Sequence, residues 1–258
     1  MTLPRPRIAL VALAGLGATF ILLPAIALLA RVPWATLVAV LGSGLARDAA
    51  RVSLVVATGA AILAAGLGLP LAWILARVPF PGRSLLRSLV VLPLVLPPVV
   101  AGIGLLAAFG RRGLLGPALS VLGIELPFTP AAAVLAAGFV AFPLFVLPVE
   151  AGIRALDPRL EDAAATMGAS RPHTVRRVVL PLLAPSLWSG LVLAWARALG
   201  EFGATIMFAG NLRGRTQTLP LAAFEVAQTD PAAGIAIAVA LVAVSAAILV
   251  ALRGRFLR

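Results

Sequence analysis

Residues 161–181 read EDAAATMGASRPHTVRRVVLP, a polar segment of 21 residues inside an otherwise very apolar chain. Just before it, Asp157-Pro158 suits a helix start, because Asp caps and Pro is favoured at the first helical position. Leu160 to Met167 then has room for two helical turns. Gly168 is placed to end them, since a helix stop often needs the left-handed backbone that glycine accepts. Ala169-Ser170-Arg171-Pro172 opens a second short helix, with Ser170 or a neighbour as its cap. Ala163, Ala164 and Ala165 are small enough for another protein surface to approach closely. The expected object is a helix–Gly–helix knob. On these residues alone, an amphipathic loop with no partner fits as well.

Working outward, the chain of 258 residues is 62% hydrophobic and 12% charged, with a mean hydropathy of +1.10. Soluble domains carry about 25% charged residues, so the composition points to an integral membrane protein. The net charge of +12 comes from 21 arginines and no lysine. The arginines are scattered between long uncharged runs and form no basic stripe, which argues against nucleic acid and for residues flanking membrane spans. Without lysine there is no P-loop, whose Lys reaches the β/γ-phosphates, so any ATP hydrolysis belongs to another subunit. The chain has no Cys and one His, His173. This excludes disulfides, thiolate nucleophiles and zinc–cysteine sites, and no metal or cofactor is expected on this chain.

Charges cut the sequence into uncharged intervals at 8–30, 52–76, 88–110, 126–149, 178–196 and 231–252, each 19 to 25 residues long. A bilayer core of ~30 Å needs roughly 20 helical residues. The expectation is an all-α polytopic protein with six spans near 8–30, 52–76, 88–110, 128–149, 186–209 and 231–252, and a loop at about 150–185. The fifth span is expected to start near Pro185 and run unbroken past Arg197 and Glu201 to about Ala209. Segment 32–46 is short and interrupted by Pro33, Gly42 and Gly44, so it reads as a connection with an interfacial helix, Trp34 suiting the headgroup level. With both termini on one side, that side holds 13 arginines and the opposite side 7, placing the termini and the 150–185 loop in the cytoplasm. The first apolar run follows Arg5 and Arg7 and is 23 residues long. That exceeds a signal-peptide core, so it reads as an uncleaved span. One membrane domain, 1–258, accounts for the sequence.

Within the fifth span lie Arg197 and Glu201, four residues apart. Charges at membrane depth are expensive and usually face a partner or an aqueous path, and this spacing lets the two pair. Gly200 and Gly203 would admit a neighbouring helix. Two readings stay open: a structural ion pair that locks helix packing, or a pathway element with Arg197 available to a passing oxyanion. Pro93, Pro97 and Pro98 interrupt the third span, as a simple kink or as a bent helix lining the path. Thr205, Asn211, Thr216 and Thr218 read equally well as an outer vestibule or as surface-loop chemistry.

The polar segment resembles the EAA loop of ABC-importer permeases: Glu-Ala-Ala, three residues, Gly, nine residues, an aliphatic residue, one more, then Leu-Pro. Here the pattern falls on Asp162-Ala163-Ala164, Gly168, Val178 and Leu180-Pro181, with Asp for Glu and Val for Ile. Further stretches are similar to the molybdate/tungstate branch of the sulfate/molybdate permeases: LPLVLPPVVAGIGLL (92–106), GRRGLLG (110–116), ARALGEFGATIMFAGN (196–211) and GRTQTLPLA (214–222). Sulfate/thiosulfate permeases share ALGEFGA but match 215–220 less well. The resemblance runs from about residue 47 to the C-terminus.

That resemblance implies a type I ABC-importer permease fold in a bacterial or archaeal inner membrane. It also implies a homodimer, two ABC ATPase subunits that use ATP and Mg, and a periplasmic or lipid-anchored oxyanion-binding protein. Asp162, Ala163, Ala164, Gly168, Ala169, Ser170, Leu180 and Pro181 would couple to the ATPase. Arg197, Glu201, Gly200, Gly203, Thr205, Pro97 and Pro98 would line the path or form a buried ion pair. The expected cargo is molybdate or tungstate, with sulfate/thiosulfate as the alternative. A membrane-embedded hydrolase lacks a catalytic constellation here, and a secondary transporter would carry coupling carboxylates or inverted repeats, of which only Glu201 qualifies.

Overall fold

A computed structural model describes residues 5–256, and every regular element among them is helical. The chain begins with α1 (Arg5–Ala30) and the short α2 (Trp34–Leu41), the helix anticipated between the first two spans. Next comes α3 (Gly44–Arg77), whose 34 residues extend about 51 Å at 1.5 Å per residue. It starts eight residues before the expected boundary at 52. Ser43 caps it by accepting from the Ala46 amide at 3.2 Å, and Arg47 and Arg51 ride exposed on its first turns, so charge marks the edge of the apolar zone and not the edge of the helix.

The expected third span, 88–110, is two helices, α4 (Arg83–Val95) and α5 (Pro98–Phe109), bent by 118°. The physical cause is the pair of prolines. A residue preceding proline is pushed out of the α region; Leu96 (ψ 133°) precedes Pro97, and Pro97 (ψ 132°) precedes Pro98. Two successive extended residues turn the chain back. After α6 (Gly116–Val121), α7 (Pro130–Ala155) begins as the residue types dictate. Thr129 accepts from the Ala132 amide at 3.2 Å, and Pro130 sits in the first turn, where no N–H is needed.

The polar segment forms α8 (Arg159–Thr166) and α9 (Arg171–Thr174). Contrary to expectation, α9 does not end as a separate short helix. It passes through a π-turn (Val175–Val179) directly into α10 (Leu180–Leu199). A proline ring clashes with the carbonyl four residues back in a regular α-turn; widening the turn is the local answer to Pro181. The fifth span also differs at its far end: the helix stops at Leu199, and α11 (Gly203–Phe208) is a separate piece. The chain closes with α12 (Leu219–Ala227) and α13 (Pro231–Phe256). Four helices, 9–30, 44–77, 130–155 and 171–199, are each long and apolar enough to cross a membrane, and the bent α4–α5 pair passes the same test jointly. α13 contributes an apolar stretch at Pro231–Ala247.

α3, α7 and α10 form the central three-helix packing, lined by Ala57, Ala60, Ala64, Ala136, Ala137 and Ala194, all fully buried. Small residues allow such backbones to approach, the usual way to hold helices together where lipid removes the hydrophobic drive. Phe145 is the wedge among them. A Cβ on Gly68 would lie 2.8 Å from its ring, and one on Gly190 3.0 Å from its carbonyl oxygen. A second cluster, Ala49, Leu219, Ala222 and Ile237, joins α12 and α13 to the start of α3. α1 packs little against the rest, with no residue of its apolar window buried.

Candidate functional site

Two regions carry the polar chemistry. At the loop end, the Asp157 carboxylate accepts from the Arg159 amide at 2.9 Å and opens α8. α8 ends where expected: Gly168 has φ +80°, with Gly168 N–H donating to Ala165 O (2.9 Å) and Ala169 N–H to Ala164 O (3.0 Å). Ser170 is the N-cap of α9 by backbone conformation, but its hydroxyl makes no capping bond. Ala164 is buried at 4% exposure, whereas Asp162, Ala163 and Ala165 face outward. Leu180 and Pro181 do not sit on the knob; they form the first turn of α10 at its root. At the tip stands Met167, 82% exposed. Sequence reasoning passed over it, although an apolar side chain beside a left-handed glycine in a polar loop is a legible sign of a contact surface.

Arg77 ties the knob to α3, and a second charge cluster lies behind it at the ends of α3, α4 and α7. Arg77, the last residue of α3, donates to Leu156 O (3.2 Å) and to Glu161 of α8 (3.3 Å). Arg154 donates to Glu150 at 2.7 Å and to Leu75 O at 3.2 Å. Glu150 is 1% exposed and also has Arg87 Nε at 3.3 Å, without hydrogen-bond alignment. Buried charges persist only when paired and hydrogen-bonded. Glu150 and Arg154 did not stand out in the sequence, although they are spaced i, i+4; the partners from α3 and α4 come only from the fold.

The second region lies where two helices break. Arg197 Nη1 pairs with Glu201 Oε2 at 2.8 Å, and Glu201, 2% exposed, places Oε1 2.8 Å from the Ala204 amide. The pair forms at the expected spacing, yet Glu201 lies past the end of α10 and caps α11 instead of continuing one helix. Both carboxylate oxygens are thus in charge-assisted contacts. Directly opposite is the other break. A Cβ on Gly203 would lie 2.7 Å from Pro98 Cβ, and one on Gly102 2.6 Å from Met207 Cβ. Pro97, Pro98, Gly200, Glu201 and Gly203 therefore belong to one junction, with Arg197 at its edge, 31% exposed.

Beyond the junction the chain is more buried than its composition suggested. Thr205 and Thr216 are fully buried, Gln217 is 2% and Thr218 3% exposed, so Thr205, Thr216 and Thr218 line neither a surface loop nor an open vestibule in this structure. Thr216 Oγ1 accepts from the Leu212 amide (3.0 Å), and Ser53 of α3 accepts from the Leu219 amide at 2.7 Å. Glu225 gathers Asn211 and Gln217, whose side-chain amides donate at 2.5 and 2.7 Å. Neither Ser53 nor Glu225 stood out in the sequence, because each is defined by a partner that the fold delivers. The Thr205 and Thr218 hydroxyls have no hydrogen-bond partner among the described residues.

Comparison with known proteins places this arrangement. The "Molybdenum transport system permease protein ModB" of Mycobacterium tuberculosis is 45% identical over 242 residues, covering 93% of this chain and 90% of that protein. The protein of that name from Escherichia coli K12 is 45% identical over 183 residues, 70% of this chain and 80% of its own length. The "Sulfate transport system permease protein CysT" of Escherichia coli K12 is 39% identical over 207 residues, 79% of this chain and 75% of that one. Among solved structures, a chain of a bacterial alginate ABC transporter in complex with a periplasmic protein superposes with a TM-score of 0.73 at 17% identity, covering 95% of this chain and 93% of that one; the likeness is one of fold. The family model described as "Binding-protein-dependent transport system inner membrane component" matches residues 68–258. On this model, and on relatives matching along nearly their whole length, the chain belongs to the family of inner-membrane components of binding-protein-dependent transport systems.

Proposed function

We propose that this permease is the transmembrane subunit of an ATP-driven importer for molybdate or tungstate. The observation that carries the cargo is 45% identity to ModB proteins along 93% of the chain, against 39% along 79% for a sulfate permease. The geometry supports the coupling part of the reading. α8, Gly168 and α9 form a knob with small outward-facing residues and Met167 at its tip, and α9 continues into α10. A push on the knob would therefore act on a membrane helix and, through Leu199–Gly200, on the junction with α5.

In this scheme two copies pair, two ATPase subunits seat the knobs on the cytoplasmic side, and a binding protein delivers the anion from outside. ATP-driven closure of the ATPases moves the knobs, and the helix breaks at Pro97 and Gly200 are the points where α5 and α11 shift. Asp162, Ala163, Gly168, Ala169 and Ser170 form the coupling surface, with Ala164 buried beneath it and Leu180 and Pro181 transmitting at the root. Arg197 is half-tied to Glu201 and presents its remaining donors at the junction, with Thr205 as a hydroxyl neighbour. The permease performs no covalent step.

The test is ATP hydrolysis by the reconstituted complex of this chain with its ATPase and binding protein, comparing molybdate, tungstate and sulfate. Stimulation by molybdate or tungstate and not by sulfate is the expected result. Stimulation by sulfate alone would move the cargo and leave the coupling knob in place.

A further inference from the structure

We propose that the α4 face at the knob end of the molecule is a binding site for one anionic phospholipid, its phosphate held by arginines and one acyl chain laid in an apolar groove. The inference rests on α3, α7 and the α4–α5 pair lying in a membrane and is independent of the cargo.

A cavity of about 430 Å³ is lined by Phe80, Gly82, Arg83, Ser84, Arg87 and Arg154. Three arginines face it, and Glu150, beside two of them, is the single carboxylate in contact among the described residues. The arginines are not used up. Arg87 meets Glu150 only through Nε, and its Nη atoms have no hydrogen bond among the described residues; Arg83 spends one donor on Ala76 O at 3.3 Å. The Ser84 hydroxyl is exposed and makes no hydrogen bond there. Guanidinium forks with spare donors match phosphate oxygens. Basic pockets between membrane helices at the charged boundary are where anionic head groups bind.

A phosphate in free solution would also suit these donors. The neighbouring surface decides for a lipid. A second cavity, of about 370 Å³, continues along the same helix and includes Leu63, Leu67, Leu89, Pro93, Phe109 and Phe142. Arg83, Leu86, Arg87, Val90 and Pro93 fall at i, i+3, i+4, i+7 and i+10, so one stripe of α4 lines the charged cavity with its first turns and the apolar one with its last. From Arg83 to Pro93 the rise is about 15 Å, the reach of a head group followed by the upper part of an acyl chain. Charge, then apolar surface, running from the membrane boundary inward is the profile of a phospholipid.

The experiment uses the full-length permease, purified and exchanged into mixed phosphatidylglycerol and phosphatidylcholine of matched chains, with retained lipid counted by native mass spectrometry. Wild type is expected to retain phosphatidylglycerol over phosphatidylcholine. Ser84→Glu, an exposed first-turn change that suits the helix dipole, and Arg83→Gln should each lower phosphatidylglycerol retention about fivefold, the factor for one surface charge, and leave phosphatidylcholine unchanged. A photo-crosslinking residue at Leu89 should capture lipid. Equal retention of the two lipids, variants indistinguishable from wild type, displacement by glycerol phosphate as effective as by short-chain phosphatidylglycerol, or a Leu89 crosslink to a second copy would each overturn the assignment.

Discussion

Glu201 shows how one side chain sets local architecture. Its burial would be prohibitive if unpaired, and removing one partner of a buried ion pair typically costs 3–5 kcal/mol. Here one oxygen meets Arg197 at 2.8 Å and the other the Ala204 amide at 2.8 Å. The carboxylate therefore ties the end of α10 to the start of α11. Arg197→Ala is expected to lower the yield of monodisperse permease severalfold in size-exclusion profiles. Arg197→Ala with Glu201→Gln should recover that yield, because glutamine keeps an acceptor for Ala204 without a charge. Uptake then separates the two roles of Arg197. Recovered yield with absent transport assigns it to the path; recovery of both makes the pair purely structural. Thr205, buried and with no partner for its hydroxyl among the described residues, stands one residue from the capped amide and is the neighbouring polar group at this junction.

At the scale of elements, helix ends carry the function. Proline pairs and glycines break helices for reasons written locally: Pro97-Pro98 forces two extended residues, and Gly168 takes φ +80°. A left-handed backbone costs a residue with a Cβ roughly 1–2 kcal/mol, so Gly168→Val is expected to distort the α8–α9 turn without touching the membrane helices. Insertion and yield should be preserved, while the ratio of anion transported to ATP hydrolysed falls several-fold in proteoliposomes. Normal coupling in that variant would remove the knob from the mechanism. The run-on from α9 through the π-turn to α10 gives such a local change a continuous helical route to Leu199, at the edge of the junction.

For the whole molecule, arginine distribution and packing make complementary statements. Arg77, Arg87, Arg154 and Glu161 cluster at one end, with the knob, while Arg213 pairs with Asp48 at 3.6 Å near the start of α3. α3, long and apolar enough to cross a membrane, runs between the two, so these ends lie at opposite ends of its apolar stretch. Single cysteines at Arg83 and Ser170 should label from the cytoplasmic side, and one at Arg112 from outside, with an impermeant maleimide on intact cells; the reverse pattern would invert the orientation. The sequence by itself determined what depends on near neighbours in the chain. Apolar runs of membrane length, the Gly168 stop, the proline break in the third span and the Arg197/Glu201 spacing all follow from local sterics and helical period. Only the tertiary structure decided which distant groups meet. Ser53 finds Leu219, Glu161 finds Arg77, Pro98 finds Gly203, and residues 216–218 are buried instead of lining a surface. Each of those outcomes depends on how α3, α7 and α10 stack, and no local pattern in the chain encodes a partner that only helix packing brings within reach.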